Sequence, residues 1–412
     1  MPVALRRLAC PLLVLVAGCG APAPAPEAAP PATASRYLYV WAGADSAVDK
    51  DFLAVIDADP TSASYGTIVA SVATDTMAYA HHSEHVMPVG DTLLVNAFGS
   101  GTTYLMDVSN PLTPRVAGSF TQLGGFSHPH SYARLPNGHA LMTYQMGAAD
   151  HEAAGGLVEI DASGALVRAS ASAADTVDPE LKPYSVTVFP ELDRAVSTTT
   201  DMHGVRTGTS FQVWRLSDLT LLHTVRLPMG PRGEEHKDPA EVRVMDNGTV
   251  ILNTFRCGMY RLTGIETDAP AAEFIHGWEW KSWDTDQCSL AVTRGKFWVQ
   301  AASQAAGSAV VVLDMSDPSH PVEVDRLTMA ERWDPHWLSM EPNGNRIVLT
   351  SGPGLTHYRV VVMTLDTLSG GIAIDSTFRD PGATVPGVSF ARTSWPHGAA
   401  GSAKPHGAVF SR

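Results

Sequence analysis

The feature that most constrains this chain is a repeat. An apolar strand, a tight turn and a second apolar strand recur as HVMPVGDTLLVNAF (85–98), YARLPNGHALMTYQ (132–145), VTVFPELDRAVSTT (186–199), VRVMDNGTVILNTF (242–255), LAVTRGKFWVQAAS (290–303) and LSMEPNGNRIVLTS (338–351). After each comes another strand, turn and strand, as in TTYLMDVSNPLTPRVAGSF and AVVVLDMSDPSHPVEVDRL. Amphipathic helical periodicity is almost absent from residue 36 onward, and Gly, Asp, Asn and Pro punctuate the segments, the pattern of an all-β chain. A period of about 50 residues carrying four strands is the size of one propeller blade.

Six inner hairpins are complete, and the seventh is split between the ends of the chain. HGAVFSR (406–412) reads as an inner strand without its partner, and SRYLYVWAG (35–43) as a second strand without its first. Pairing them closes a ring and removes two exposed sheet edges. The expectation is therefore a single seven-bladed β-propeller over 36–412, although 412 residues would by length alone suggest two or three domains.

The first 35 residues fall outside that fold. Arg6 and Arg7 precede the apolar LACPLLVLVAG, which ends at Val16-Ala17-Gly18-Cys19, a pattern like a lipoprotein signal peptide (1–19) with Cys19 as the lipidated residue. A Pro/Ala-rich tether (20–35) follows. The expected protein is an exported lipoprotein facing the periplasm or cell exterior, held to the membrane only through its lipid. An ordinary secretory peptide with an incidental cysteine is the alternative. The net charge of −14 with no basic run argues against nucleic acid as a partner, and a monomer is expected. Cys257 and Cys288 then either pair, as an oxidising compartment permits, or remain as buried thiols.

The chemistry-bearing residues are histidines. In MAYAHHSEHV (77–86) three of them and Glu84 stand within five positions. Counting eight residues back from the turn glycines Gly90, Gly138 and Gly344 reaches His82, His130 and His336, and His406 precedes its own inner strand comparably. The same count from Gly248 and Gly295 reaches Ala240, beside Glu241, and Gln287, while Tyr184 holds the corresponding place in the blade that breaks the series. Four imidazoles are thus expected at one height near the channel mouth, from consecutive blades. Around them should lie His81, Glu84, His85, His128, Asp201, His203, Glu235, His236 and Asp334. Four such rings protonated together would repel, and a shared metal removes that conflict. Imidazole suits Cu, Zn, Fe and Ni, with copper the strongest of the divalent series. Nearby carboxylates could fix ring tautomers. Trp278, Trp280, Trp283 and Trp337 are expected to pack between blades more than to line a pocket. His139, His151, His223, His276, His320 and His357 fall in turns or outer strands and are taken as background. Hydrolase elbows, zinc-protease helices, Cys-x-x-Cys pairs and phosphate-binding glycine loops are missing from the sequence.

In the order and spacing of DFLAVIDADPTSASYGTIV, the His81-His82 pair, YLMDVSNPLTPRV, the His130 segment with LPNGHALMTYQ and GGLVEID, DPAEVRVM, LDMSDPSHPVEVDRL and LDTLSGGIAI, the chain resembles the selenium-binding protein family over most of 36–412. That family is a seven-bladed propeller whose bacterial members include methanethiol oxidases. The resemblance implies copper held at His81, His82, His130 and His406, with His397 a rival for the last position. It also implies oxidation of methanethiol with O₂ and water to formaldehyde, hydrogen sulfide and hydrogen peroxide. The family's cysteine loop after the histidine pair and its Gly-Gly-Asp-Cys tail are both missing here, so cysteine-bound selenium is not implied. The expectation is a copper-dependent oxidase of a small thiol, with His336 or Glu84 moving the proton; another transition metal is admissible. The competing expectation is an exported propeller that binds copper, another metal or selenium without catalysis.

Overall fold

The computed structural model describes residues 34–45, 49–173, 181–204, 206–282, 286–304, 307–329, 334–351 and 358–412. The lipobox with Cys19, the tether up to residue 33, Trp283 and His357 lie outside the described residues. Thr33–Arg412 form one compact unit. No helix among the described residues is long and apolar enough to cross a membrane.

Seven antiparallel sheets form a seven-bladed β-propeller. Blade 1 is built from both ends of the chain. Its inner strand is Ala403–Phe410, followed outward by Tyr37–Ala44, Phe52–Asp57 and Ile68–Ala73. The pairing of Val409 with Tyr39 and of Phe410 with Leu38 is the expected closure. Blades 2 to 7 start with the inner strands Ala80–Ser83, Phe126–Arg134, Pro183–Phe189, Pro239–Val244, Gln287–Arg294 and Pro335–Met340. Each inner strand contacts the next around the ring, and Ala403–Phe410 contacts Ala80–Ser83, so the circle closes.

Residues such as Val95, Val312 and Val362 are fully buried because middle strands are covered on both faces by neighbouring blades. Outermost strands such as Leu166–Ala171 and Val322–Thr328 are largely exposed. Cys257 and Cys288 form a disulfide, with Cα atoms 4.9 Å apart, joining blade 5 to blade 6 across a sequence separation of 31. In the chain-entropy view a loop of that length contributes on the order of 3–4 kcal/mol.

The inner strands begin three to six residues before the apolar pattern suggests, with the histidines inside them and not in the loops leading in. At that level every inner hairpin carries a register shift. His81 and His82 oppose Asn96, His130 and Ser131 oppose Thr143, and Tyr184 and Ser185 oppose Thr198. Ala240 and Glu241 oppose Asn253, Ser289 and Leu290 oppose Ala301, and His406 and Gly407 oppose Trp41. In blade 7 His336 is the single extra residue. A β-bulge re-aims side chains and leaves ladder groups unpaired. Five of these bulges follow a proline, at 129, 183, 239, 335 and 405, whose missing N–H suits a place where pairing lapses.

Backbone groups at this level are taken up by side chains opposite the bulges or, in blade 6, within the bulge itself. Asn96 Oδ1 accepts from the His82 amide at 2.8 Å, and its Nδ2 donates to the Pro129 and His130 carbonyls of the next blade at 2.9 and 2.8 Å. Thr143 Oγ1 donates to the Tyr184 carbonyl, Thr198 Oγ1 to that of Ala240, and Asn253 Nδ2 to that of Ser289. Ser289 Oγ reaches the His336 carbonyl, Thr350 Oγ1 that of His406, and Trp41 Nε1 that of Asn96. All seven blade junctions are latched at the level where the histidines sit.

Candidate metal centre

The bulges of four consecutive blades bring five imidazoles together: His406 from blade 1, His81 and His82 from blade 2, His130 from blade 3 and His336 from blade 7. Their rings are almost stripped of solvent, at 0–8% exposure. Ring centroids of His81 and His82 lie 4.1 Å apart, His82 and His130 4.2 Å, His81 and His406 4.3 Å, and His336 and His406 4.8 Å. Ligand atoms of His81, His82, His336 and His406 all lie within 4.8 Å of one another. His130 stands just outside that set but 5.0 Å, ring to ring, from His81.

Burial is the main reason that all five imidazoles are pushed below their ordinary pKa, His130 to about 3. Neighbouring imidazoles add to this for His81, His82 and His406, whereas Asp334 and Glu241 partly oppose it at His336. The rings are therefore neutral at pH 7, the form in which imidazole binds metal. Buried and without a hydrogen-bond partner are Nδ1 of His81, both nitrogens of His82, and Nε2 of His130, His336 and His406. Leaving so many polar atoms unpaired costs on the order of 1–3 kcal/mol each, which a shared ion would offset. The donor set fits a transition metal. His130 is also oriented: its Nδ1 donates to the Tyr184 carbonyl at 2.7 Å, leaving Nε2 for the cluster.

The other wall is apolar. Tyr184, Ala240 and Phe255 pack together with Met202, and the Tyr184 ring lies 4.0 Å from that of His130. A cavity of about 170 Å³ abuts His406, lined by Met77, Tyr79, Ala80, Ser351 and Lys404 among others. Tyr79 stacks near His81 at 5.5 Å and holds φ 64°, a strained conformation for a bulky residue.

Several expected positions need correction. The bulge aligns His81, not His82, with His130, His336 and His406, because the turn of blade 2 is one residue longer on each side. In blade 6 the equivalent is Ser289, not Gln287. The five rings of the cluster are sealed from solvent. Glu84 is no free base: Arg134 Nε and Nη2 donate to its two oxygens at 2.6 and 2.9 Å and the Leu94 amide donates at 2.8 Å, tying blade 2 to blade 3. His85 follows the inner strand, stacks on Trp337 at 4.1 Å and faces Glu241 at 3.7 Å. Burial alone would raise Glu241, but Arg243 and His85 bring it to about 2.

His397 is spent elsewhere in blade 1, its Nδ1 2.6 Å from Ser71 Oγ and its ring 4.9 Å from Phe52. Glu235 accepts from the Arg232 and Glu234 amides, and the adjacent half-buried His236 has no ring contact with the five. His128 and His203 form a separate outer pair, ring to ring 5.7 Å. Trp278 packs in the core of blades 5 and 6, with Trp280 against it. Sequence reasoning missed Asn96, Tyr79 and Phe98; the recurring proline before the bulge was the available signal for the register.

No protein-family model matches the chain, and no curated protein does. Solved structures do resemble it. A hypothetical selenium-binding protein from Sulfolobus tokodaii superposes with a TM-score of 0.74 at 18% identity, covering 93% of this chain and 94% of that one. A periplasmic gluconolactonase from Pseudomonas aeruginosa gives 0.63 at 14%, covering 91% and 99%. A 6-phosphogluconolactonase-like protein from Bacteroides uniformis gives 0.57 at 11%, covering 82% and 95%. At such identities these likenesses establish the propeller and nothing about its chemistry.

Proposed function

We propose that the protein is a copper-dependent oxidase of a small thiol, methanethiol or a close relative. The observation that carries this reading is the set of five neutral, buried imidazoles with unpartnered nitrogens converging from four blades. The likeness to a selenium-binding propeller agrees with the resemblance seen in the sequence. His81, His82, His130 and His406 would hold the ion. Interatomic distances alone group His336 in place of His130. We assign His130 as the ligand because the Tyr184 carbonyl fixes its tautomer and aims Nε2 inward.

Copper, once bound, supplies a cation that lowers the pKa of a thiol and a route for electrons to O₂. The chain's own residues do the rest. The small cavity beside His406, with Met77 and Tyr79 on its wall, admits a compact apolar thiol and excludes a bulky one. His336 Nε2 takes the thiol proton, and neighbouring Asp334 favours the imidazolium that results. Tyr184, Ala240 and Phe255 keep water from the far side. Export fits the disulfide, which an oxidising compartment maintains. Lipid attachment through Cys19 and a monomeric state belong to the same proposal.

The near-complete burial of the five rings favours a second reading, a non-catalytic carrier of copper, another metal or selenium. Supplying the copper-loaded protein with methanethiol under O₂ and measuring peroxide and sulfide separates the two. Turnover with both products supports the oxidase; stoichiometric copper without turnover supports the carrier. Replacing His336 by Gln should keep copper and abolish turnover.

A further inference from the structure

Three more imidazoles gather away from the buried five. His128 lies two residues before His130 on the inner strand of blade 3. His151 sits in the loop after Ala140–Gly147, and His203 in the loop after Arg194–Thr199 of blade 4. The His128 ring is 5.2 Å from that of His151 and 5.7 Å from that of His203. The sequence pointed to His128 and His203 but left His151 as background, although His151 and His203 occupy the equivalent loop of neighbouring blades.

The supports of these rings are built into the fold. The buried Lys182 ammonium donates to the His151, Glu152 and Ala153 carbonyls at 2.8, 3.1 and 2.7 Å, pinning the loop that presents His151. Asp201 Oδ1 accepts from the His203 amide at 2.8 Å and lies 4.0 Å from His203 Nδ1. Gln145 Oε1 accepts from the Met202 amide at 3.0 Å, tying the loop that carries His203 to the strand Ala140–Gly147 of blade 3. His128 holds φ 59°, a conformation with a cost for a non-glycine residue, at this point of convergence.

The two sets are joined by one side chain. Phe98 is buried, and its ring lies 5.6 and 5.9 Å from those of His81 and His130 on one side. On the other it lies 5.7 and 5.5 Å from those of His128 and His203. Exposure falls in order along this line: His151 and the His203 side chain face solvent, His128 is half-buried, and His130 is sealed.

We propose that His128, His151 and His203 form an outer capture site for a divalent transition-metal ion, which loads the buried centre past Phe98. Three imidazoles with the Asp201 carboxylate make a ligand set of the right class, and His128 is the ring that both close pairs share. The exposure of two of them makes the site weak and exchangeable. This rests on the reading of the buried cluster as a metal centre, but it can fail independently.

The test is titration of the metal-free mature protein with Cu(II), counting bound ions and timing the uptake. The wild type should bind two ions per chain, one tightly and one weakly. His151→Ala/His203→Ala changes exposed side chains and should keep the thermal midpoint. It should lose the weak ion and fill the tight site at least tenfold more slowly. His203→Asn alone should show the same trend. His82→Ala/His406→Ala should keep the weak ion. Two ions and wild-type uptake in the outer double variant overturn the capture site. One ion in wild type and none in His82→Ala/His406→Ala also overturns it, while sparing the buried centre. One ion in both leaves the outer site standing and removes the buried one.

Discussion

A histidine nitrogen that is buried and unpartnered is costly, and this protein places six of them on five adjacent rings. The roles of those rings can be separated by substitution. His82→Ala or His130→Ala should abolish tight copper binding, whereas His223→Ala, in the outer strand of blade 4, should leave it unchanged; equilibrium dialysis reads the difference. Equal losses in all three would mean that the bulge positions carry no special weight. The metal-free protein should also report the cluster through pH. The five pKa values lie below the ordinary 6.5. Below pH 6.5 the unfolded chain therefore binds protons that the folded one refuses. Stability is fully present above 6.5 and falls with acidification, by about 1.4 kcal/mol per pH unit for each group fully in that regime. For His130 the loss continues down to about pH 3. Urea unfolding at pH 7.5 and 5.0 should show the decline, and His82→Ala/His406→Ala should flatten it.

At the scale of strands, the bulge is what aims the imidazoles, and the opposing side chain is what makes the bulge tolerable. Asn96 serves three backbone groups, one in its own blade and two in the next. Replacing it with Ala leaves these buried groups unpaired and should cost about 2–5 kcal/mol by urea titration, with weaker metal binding besides. Replacing the exposed Asn137, in the turn of blade 3, should cost far less. The hairpin pattern was legible in the sequence because turn glycines and alternating apolar residues mark it locally. The strand starts were not, because AHHS (80–83) and SHPHS (127–131) look like loops by composition. Channel-lining strands are free of the apolar rule when their polar atoms find a ligand or a neighbouring blade. The one-residue offset between His81 and His82 escaped counting from Gly90 because bulge and turn vary independently.

Over the whole molecule the period of the repeat and the two orphan half-hairpins were enough to read a closed seven-bladed ring, since both are global patterns of a single chain. What brings His128, His151 and His203 together was hidden, because it depends on how loops of neighbouring blades lean toward one another. Ring closure carries the site as well as the fold: the strand that seals blade 1 also delivers His406. Ending the chain at residue 402 should therefore remove the closing strand as well as the ligand His406. It exposes the edge of Tyr37–Ala44 and should give aggregation or a broad, non-cooperative thermal transition in place of a single sharp one. The full chain with His406→Ala should keep the sharp transition.

The central claim is that the channel holds one copper ion on imidazoles, and metal analysis of the purified protein combined with X-ray absorption at the copper edge tests it most directly. The account predicts about one copper per chain with nitrogen ligands from several imidazoles, lost in His82→Ala/His406→Ala. Purification with no transition metal, and no tight binding when copper is added, would contradict it.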